Sequence, residues 1–132
     1  MAEAREQAFN SPSPRVGLIQ FAKTYFHFAT SPRTLGLLRM VIAQTIDDPG
    51  FGRRFSANVV SRHREWLVQA FSNWNDAGLA KIDHPKAAAD LFFATVLCDA
   101  PLHFLLALPF EDETVEPLEW RLAPFLTWFE IA

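Results

Sequence analysis

Residues 15–32 read RVGLIQFAKTYFHFATSP, and the spacing of their apolar side chains indicates the fold class of the whole chain. Apolar residues recur every three or four positions while polar residues occupy the other side, beginning with Leu18, Phe21 and Tyr25. This period is that of an amphipathic α-helix, which we place at residues 15–30. Ser31-Pro32 then starts another helix, because a serine caps free amide groups and proline fits the first helical turn.

The rest of the chain repeats helical patterns and shows no convincing strand alternation. We predict further helices at residues 32–46, 49–77, 85–108 and 116–131. The helix at 32–46 is apolar nearly all round, which predicts that it is the most buried element. Pro101 lies inside the helix at 85–108 and should kink it, and Pro124 is a second interior proline. The sequence therefore predicts an all-α domain of five helices over residues 15–132, preceded at 1–14 by a tail or the remnant of a linker helix.

Composition excludes several classes of protein. Half of the 132 residues are apolar, so the chain can fold around a core. Its net charge is -3, so Lys and Arg do not outnumber Asp and Glu as they do in a domain that binds nucleic acid by itself. The single cysteine, Cys98, excludes an internal disulfide and suits a reducing compartment. The longest uncharged run, residues 100–110, is too short to cross a bilayer, so we expect a cytoplasmic protein with no membrane partner.

The residues that carry chemistry form no recognisable catalytic or metal-binding motif. The four histidines are scattered, and no nucleophile has an evident base. Asp99 and His103 are four positions apart and share a helix face. They form either a hydrogen-bonded pair or two ligands of a metal site, which would need further ligands from elsewhere in the chain. We therefore predict no enzymatic activity, no metal and no cofactor.

Aromatic residues make up 14% of the chain, more than so small a core readily holds, and their positions predict a pocket for a small hydrophobic or aromatic molecule. In such a pocket Tyr25 and His63 would orient the guest. The alternative is that an aromatic stripe at helical spacing is simply core, with His63 satisfied inside it. The predicted pocket residues from this pattern are Phe21, Tyr25, Phe28, Met40, Phe55, Val59, His63 and Trp66.

The last two predicted helices also carry more large apolar side chains than a single copy of the domain can bury. Pairing two copies of this helical hairpin into a four-helix bundle would bury them without any new element. We therefore predict a homodimer. The predicted interface residues are Leu91, Thr95, Cys98, Leu102, Leu105, Leu106, Leu122, Phe125, Leu126 and Phe129.

Several of these segments resemble the regulatory domain of the tetracycline-repressor (TetR) family. Residues 37–43, LLRMVIA, followed by Pro49 and Phe55, are similar to the middle of that domain. Residues 77–92, AGLAKIDHPKAAADLF, resemble the segment before its dimerisation helices, and residues 121–129 resemble its closing helix. The resemblance covers residues 15–129 and is a pattern of spacing and residue class.

The resemblance implies a repressor of two domains, of which the N-terminal helix-turn-helix domain binds operator DNA. The other domain dimerises and binds an effector among its first three helices and the start of the fourth, which adds Phe92 to the pocket. Only 14 residues precede Arg15, so we expect no DNA binding by this chain itself. The leading hypothesis is an effector-sensing, dimerising domain. The alternatives are a stand-alone domain that heterodimerises with a full-length regulator and titrates it, and an all-α enzyme or carrier for a hydrophobic substrate.

Overall fold

The computed structural model describes residues 2–110 and 115–132, and the regular elements in these ranges are helical. The all-α prediction is confirmed. A π-helical segment, Ser56–Val60, joins α4 to α5. The α-helices are α1 (Ala2–Phe9), α2 (Pro14–Ala29), α3 (Pro32–Asp47), α4 (Pro49–Phe55), α5 (Ser61–Asp76), α6 (Pro85–Leu97), α7 (Ala100–Leu105) and α8 (Val115–Trp128).

Helix boundaries follow the capping signals of the sequence. The Ser31 hydroxyl accepts a hydrogen bond from the Thr34 amide at 3.2 Å, which satisfies a free donor at the start of α3. The Asp48 carboxylate accepts one from the Gly50 amide at 3.1 Å and starts α4 directly after α3. Gly78 has a φ of +73°, the left-handed conformation that glycine adopts most readily, and the chain turns there after α5.

The main core lies between α2, α5, α6 and α8. Its largest fully buried side chains include Phe21, Phe71, Phe92 and Leu122, one from each of these helices. Aromatic rings form its centre, since the Phe92 ring centroid lies 6.1 Å from that of Phe21 and 5.7 Å from that of Phe125. The four helices are therefore held together mainly by burial of large apolar side chains.

Helix α3 is not the most buried element, so that prediction is wrong. Only Leu35 and Val41 are buried on it, whereas Ile46 is 78% exposed and Met40 is 52% exposed. Connections of one or two residues hold α3 between α2 and α4, and it packs chiefly on α4. Leu35 and Val41 do not belong to the main core. A helix that is apolar all round can be buried, but its sequence does not tell whether another element covers its outer face.

The predicted helix at 85–108 is two helices rather than one kinked helix. Helix α6 ends at Leu97, Cys98 adopts a φ of +41°, and Pro101 lies in the first turn of α7. Proline has no amide hydrogen and its ring would clash with the Leu97 carbonyl, so a new helix start costs less than a continuous helix. The freed end of α6 is capped by Arg121 of α8, which donates to the carbonyl oxygens of residues 95 and 96 at 3.2 and 2.9 Å.

Two other predicted helices differ in detail. Residues 49–77 follow one helical path as predicted, but the π-helical segment interrupts it and adds a wider turn between α4 and α5. The last helix ends at Trp128 rather than near residue 131, and the residues after it pack back on the domain. The Ala132 carbonyl accepts hydrogen bonds from the Arg15 amide and the Ser13 hydroxyl, both at 2.8 Å.

The segment before residue 14 contains helix α1, which packs against α2. The two helices approach so closely that a Cβ atom on Gly17 would collide with the Ala8 carbonyl oxygen. Gly17 is therefore required by this contact rather than by its backbone conformation. In the described ranges, no helix has both the length and the apolar character that crossing a membrane requires.

Candidate ligand-binding site

Ring contacts bring together six of the nine predicted pocket residues. The Tyr25 ring centroid lies 5.6 Å from that of His63, and the Phe28 centroid lies 6.1 Å from the same imidazole. Phe21 links these three rings to the remaining two, those of Trp66 and Phe92. Its ring centroid lies 4.9 Å from that of Trp66 and 6.1 Å from that of Phe92. These rings come from α2, α5 and α6, which the sequence placed as three separate helices.

The six rings divide into a buried part and a half-exposed part. Phe21 and Phe92 are fully buried and belong to the main core, so they support the site from behind. Tyr25, Phe28 and His63 retain partial exposure, and Phe28 is 41% exposed. Phe93 joins them, with its ring centroid 4.9 Å from that of Tyr25. We call this group of four, Tyr25, Phe28, His63 and Phe93, the aromatic rim.

Phe93 is absent from the predicted pocket, and the reason is geometric. Neighbouring helical residues point about 100° apart, so a stripe drawn through Phe92 passes over Phe93. In the structure Phe92 enters the core, and Phe93 is the α6 residue that reaches the rim. The only sequence signal for it was the pair of consecutive phenylalanines, Phe92 and Phe93, within the predicted helix at 85–108.

The remaining three predicted pocket residues are Met40, Phe55 and Val59, which the ring contacts of the rim do not reach within the described residues. Met40 is half exposed on α3. Phe55 is half-buried at the end of α4, and Val59 lies partly exposed in the π-helical segment.

His63 provides the polar chemistry of the rim. Its Nδ1 atom is buried and has no hydrogen-bond partner among the described residues. Leaving such a group unsatisfied costs about 1–3 kcal/mol, so a native structure that contains one needs a reason for it. Burial lowers the pKa of His63, and the charge of Arg5 lowers it further. Burial raises the pKa of Tyr25. At neutral pH the rim therefore presents an uncharged imidazole and an uncharged phenol.

The lowered pKa of His63 predicts how acid affects stability. The unfolded chain binds a proton at His63 below about pH 6.5, while the folded chain resists it. The contribution of neutral His63 to the free energy of unfolding is therefore fully present above about pH 6.5. It is lost as the pH falls through the pKa of His63 in the folded chain. We expect His63→Gln to flatten the decline of the melting temperature between neutral and mildly acidic pH, as measured by circular dichroism. A variant with the same decline as the original chain would contradict the assignment.

The predicted dimer residues fall into two groups. Leu91, Cys98, Leu102 and Leu106 are exposed, and Thr95, Leu105 and Phe129 are half-buried. The other three, Leu122, Phe125 and Leu126, are buried in this chain's own core, where they are not free to meet a partner.

Helix α8 nevertheless has a second apolar face. Trp120 and Trp128 are 79% and 80% exposed on it, although neither was among the predicted interface residues. The sequence signal for this face was present, because positions 120, 124 and 128 keep the four-residue helical spacing.

Asp99 and His103 form the hydrogen-bonded pair, one of the two arrangements that their spacing allowed. The His103 Nε2 atom lies 2.9 Å from the Asp99 carboxylate, and its Nδ1 atom lies 3.1 Å from the Pro109 carbonyl oxygen. The hydrogen bond from His103 lowers the pKa of Asp99. Across residues 2–110 and 115–132, no three side chains of the His, Cys, Asp and Glu types gather as a metal site would need. The pair joins the residue that precedes α7 to the last turn of that helix.

Comparison with known proteins identifies relatives by sequence profile and by fold. Residues 16–120 match the profile of a family described as the C-terminal domain of AefR-like transcriptional repressors. A crystal structure of a protein assigned to the TetR family of transcriptional regulators in Mesorhizobium loti MAFF303099 superposes with a TM-score of 0.84 at 18% identity. The superposition covers 96% of this chain and 64% of that protein. At this identity the likeness shows the fold. No curated protein matches this sequence.

Proposed function

Because the chain belongs to the family of C-terminal domains of AefR-like transcriptional repressors, we propose that it senses a small hydrophobic or aromatic effector and joins two regulator subunits. The family relation establishes a domain of a TetR-family transcriptional regulator. Effector binding and dimerisation go beyond that relation. Each is supported by a separate feature of the described residues.

The observation that carries effector sensing is the unpaired Nδ1 atom of His63 among aromatic rings. Flat rings favour a flat apolar guest, since aromatic side chains pack well against other aromatic groups. A single polar atom inside such a wall fixes the orientation of the guest through one hydrogen bond. Because the imidazole is uncharged at neutral pH, the effector need not carry a charge. A planar molecule with one hydroxyl group has the matching chemistry.

Thermal stabilisation by two closely related probes tests this proposal. We expect 2-naphthol to raise the melting temperature more than naphthalene does, because only 2-naphthol can hydrogen-bond to His63. The matched variant is His63→Phe, which keeps an aromatic ring and removes the polar atom. It should lower the affinity for 2-naphthol by about five- to tenfold, the usual value of one hydrogen bond, and leave that for naphthalene unchanged.

Two results would count against the assignment. If His63→Phe lowered the affinity for both probes equally, the His63 imidazole would pack against the bound molecule without a hydrogen bond to it. A wider aromatic library that leaves the melting temperature of the original chain unchanged would remove the rim as an effector site. The Trp66 ring lies 4.9 Å from Phe21, directly behind the rim, so its fluorescence provides an independent reading of binding.

Dimerisation is supported by the exposed apolar surface of α6 and α8. Exposed tryptophans are uncommon on a surface that faces only water, and tryptophan is enriched in protein interfaces. Leu91 of α6 is half exposed and lines the same groove as Trp128. Light scattering coupled to size exclusion measures the assembly directly, and a monodisperse monomer at micromolar concentration would overturn this part of the proposal.

A further inference from the structure

Helix α1 brings an arginine close to the aromatic rim. A connection of four residues folds α1 back against α2, where the Ala8 carbonyl oxygen lies against Gly17. Arg5 comes about one turn before Ala8, and Phe21 comes about one turn after Gly17, so the two lie at a similar level of this helical hairpin. Phe21 is the ring that supports the rim from within the core. The hairpin therefore places Arg5 near the rim.

Electrostatics indicate the same proximity independently. Burial is the larger cause of the lowered pKa of His63, and the positive charge of Arg5 is the next. The effect of one charge on another group decreases with the distance between them, so Arg5 and His63 are near neighbours. Arg5 belongs to α1 and His63 to α5. Two helices that are far apart in the sequence therefore bring a guanidinium and an imidazole to one place.

Both groups lack partners among the described residues. Arg5 is half-buried, and no ion pair or hydrogen bond joins its guanidinium to another side chain in that part of the chain. The buried Nδ1 atom of His63 is likewise unpaired there. A charge that is partly removed from water usually has a counter-ion, because desolvation without one is costly. A cation and a buried polar atom without partners, beside aromatic rings, have the features of an incomplete anion site.

The two arginines that flank His63 on α5 are less suited to complete that site. The Arg64 guanidinium lies 3.4 Å from the Asp90 carboxylate, so its charge already has a partner. Arg62 is exposed to solvent, where an ion pair contributes little. Arg5 is therefore the cation best placed to receive an anionic group at the rim.

From this arrangement we propose that the effector of the aromatic rim is an aromatic carboxylic acid, bound as its carboxylate by Arg5 and by the Nδ1 atom of His63. This inference rests on the effector site proposed above and adds the charge and chemical class of the effector. A hydroxyl group would satisfy His63 alone, whereas a carboxylate has two acceptor oxygens. One accepts from the guanidinium, and the other accepts from the Nδ1–H tautomer of the neutral imidazole.

Calorimetric titration with 2-naphthoate and 2-naphthol tests the acid group. The two probes share the ring system and the position of the substituent, and only 2-naphthoate is an anion at neutral pH. We expect 2-naphthoate to bind at least about tenfold more tightly, because a charged acceptor strengthens the hydrogen bonds and supplies a counter-ion for Arg5. Any smaller preference, or tighter binding of 2-naphthol, overturns the inference without the need for a variant.

Substitution of Arg5 identifies the cation. Arg5→Gln keeps a good helix-forming side chain and removes the charge. It should weaken binding of 2-naphthoate by about ten- to a hundredfold and change that of 2-naphthol by less than about twofold. Arg5→Lys keeps the charge without the forked geometry, so it should bind 2-naphthoate more tightly than Arg5→Gln does. The matched control is Arg62→Gln, at an exposed arginine next to His63, which should leave both affinities unchanged. Circular dichroism confirms that each variant folds.

The outcomes distinguish this inference from the proposed function. If His63→Phe weakens binding of 2-naphthol but Arg5→Gln leaves 2-naphthoate unaffected, the effector site stands and its specificity for an acid is overturned. Equal losses in Arg5→Gln and Arg62→Gln would show a general effect of protein charge and would also overturn it. If neither probe binds the original chain, the rim is not an effector site, and the inference falls together with the proposed function.

Discussion

Replacing Phe92 with alanine is expected to lower the free energy of unfolding by about 3–5 kcal/mol. Phe92 is 0% exposed, and its ring contacts those of Phe21, Phe93 and Phe125. Removing it leaves a cavity where α2, α6 and α8 meet, and a packed helical core collapses only partly into such a space. Urea denaturation followed by circular dichroism measures the loss directly.

The matched control for this prediction is Phe28→Ala. Phe28 also belongs to the predicted pocket, but it is 41% exposed, so truncating it removes less buried surface and opens no enclosed cavity. We expect less than half of the Phe92 effect on stability, together with weaker binding of aromatic probes. Equal destabilisation by the two variants would mean that the rim is as tightly packed as the core and has no room for a guest.

Deleting residues 130–132 is expected to cost at least about 3 kcal/mol of unfolding free energy. Ile131 is 2% exposed, and burial of such a side chain stabilises by about 1.5–3 kcal/mol. The Ala132 amide also donates to the Leu79 carbonyl at 2.9 Å, and the Ala132 carbonyl accepts from residues 13 and 15. Each of these hydrogen bonds contributes about 0.5–1.5 kcal/mol. The deletion therefore disconnects the end of α8 from the start of α2 and from the turn after α5.

The appropriate comparison is Lys81→Ala. It breaks the ion pair between Lys81 and Glu130, whose atoms lie 3.1 Å apart, without touching Ile131. Both partners are well exposed, so this pair should contribute less than about 1 kcal/mol. If thermal denaturation shows the deletion to be no more harmful than Lys81→Ala, the terminal contacts do not hold the domain together.

The sequence allowed prediction of features that depend on neighbouring residues. Capping at Ser31 and Asp48 requires only a side chain and the amides that follow it, and the cap predicted at Ser31 forms. The left-handed turn at Gly78 is equally local. Tyr25 and Phe28 are three positions apart and therefore share a face of α2, as their spacing indicated. The approach of His63 from α5 joins distant parts of the chain, and helical spacing alone does not determine it.

The errors concern relations between distant parts of the chain. Pro101 showed that residues 85–108 could not form a straight helix. The sequence did not show that Arg121 would reach the end of α6 from another helix and donate to two of its carbonyl oxygens. The sequence also did not show that Phe125 would be buried in the core while Trp128 stays exposed, because apolar character does not distinguish the side of α8 that meets the core from the side that does not.

The order of residues was enough to establish helices, their starts and the aromatic character of one region, since these arise from backbone sterics, capping and helical period. It did not establish that α3 stays largely uncovered, that Phe92 supports the rim from within the core, or that His63 keeps a buried nitrogen unpaired. Those properties depend on how helices far apart in the chain exclude water from one another. Burial is a property of the assembled helices, and a single helix does not encode which of its apolar faces a neighbour will cover.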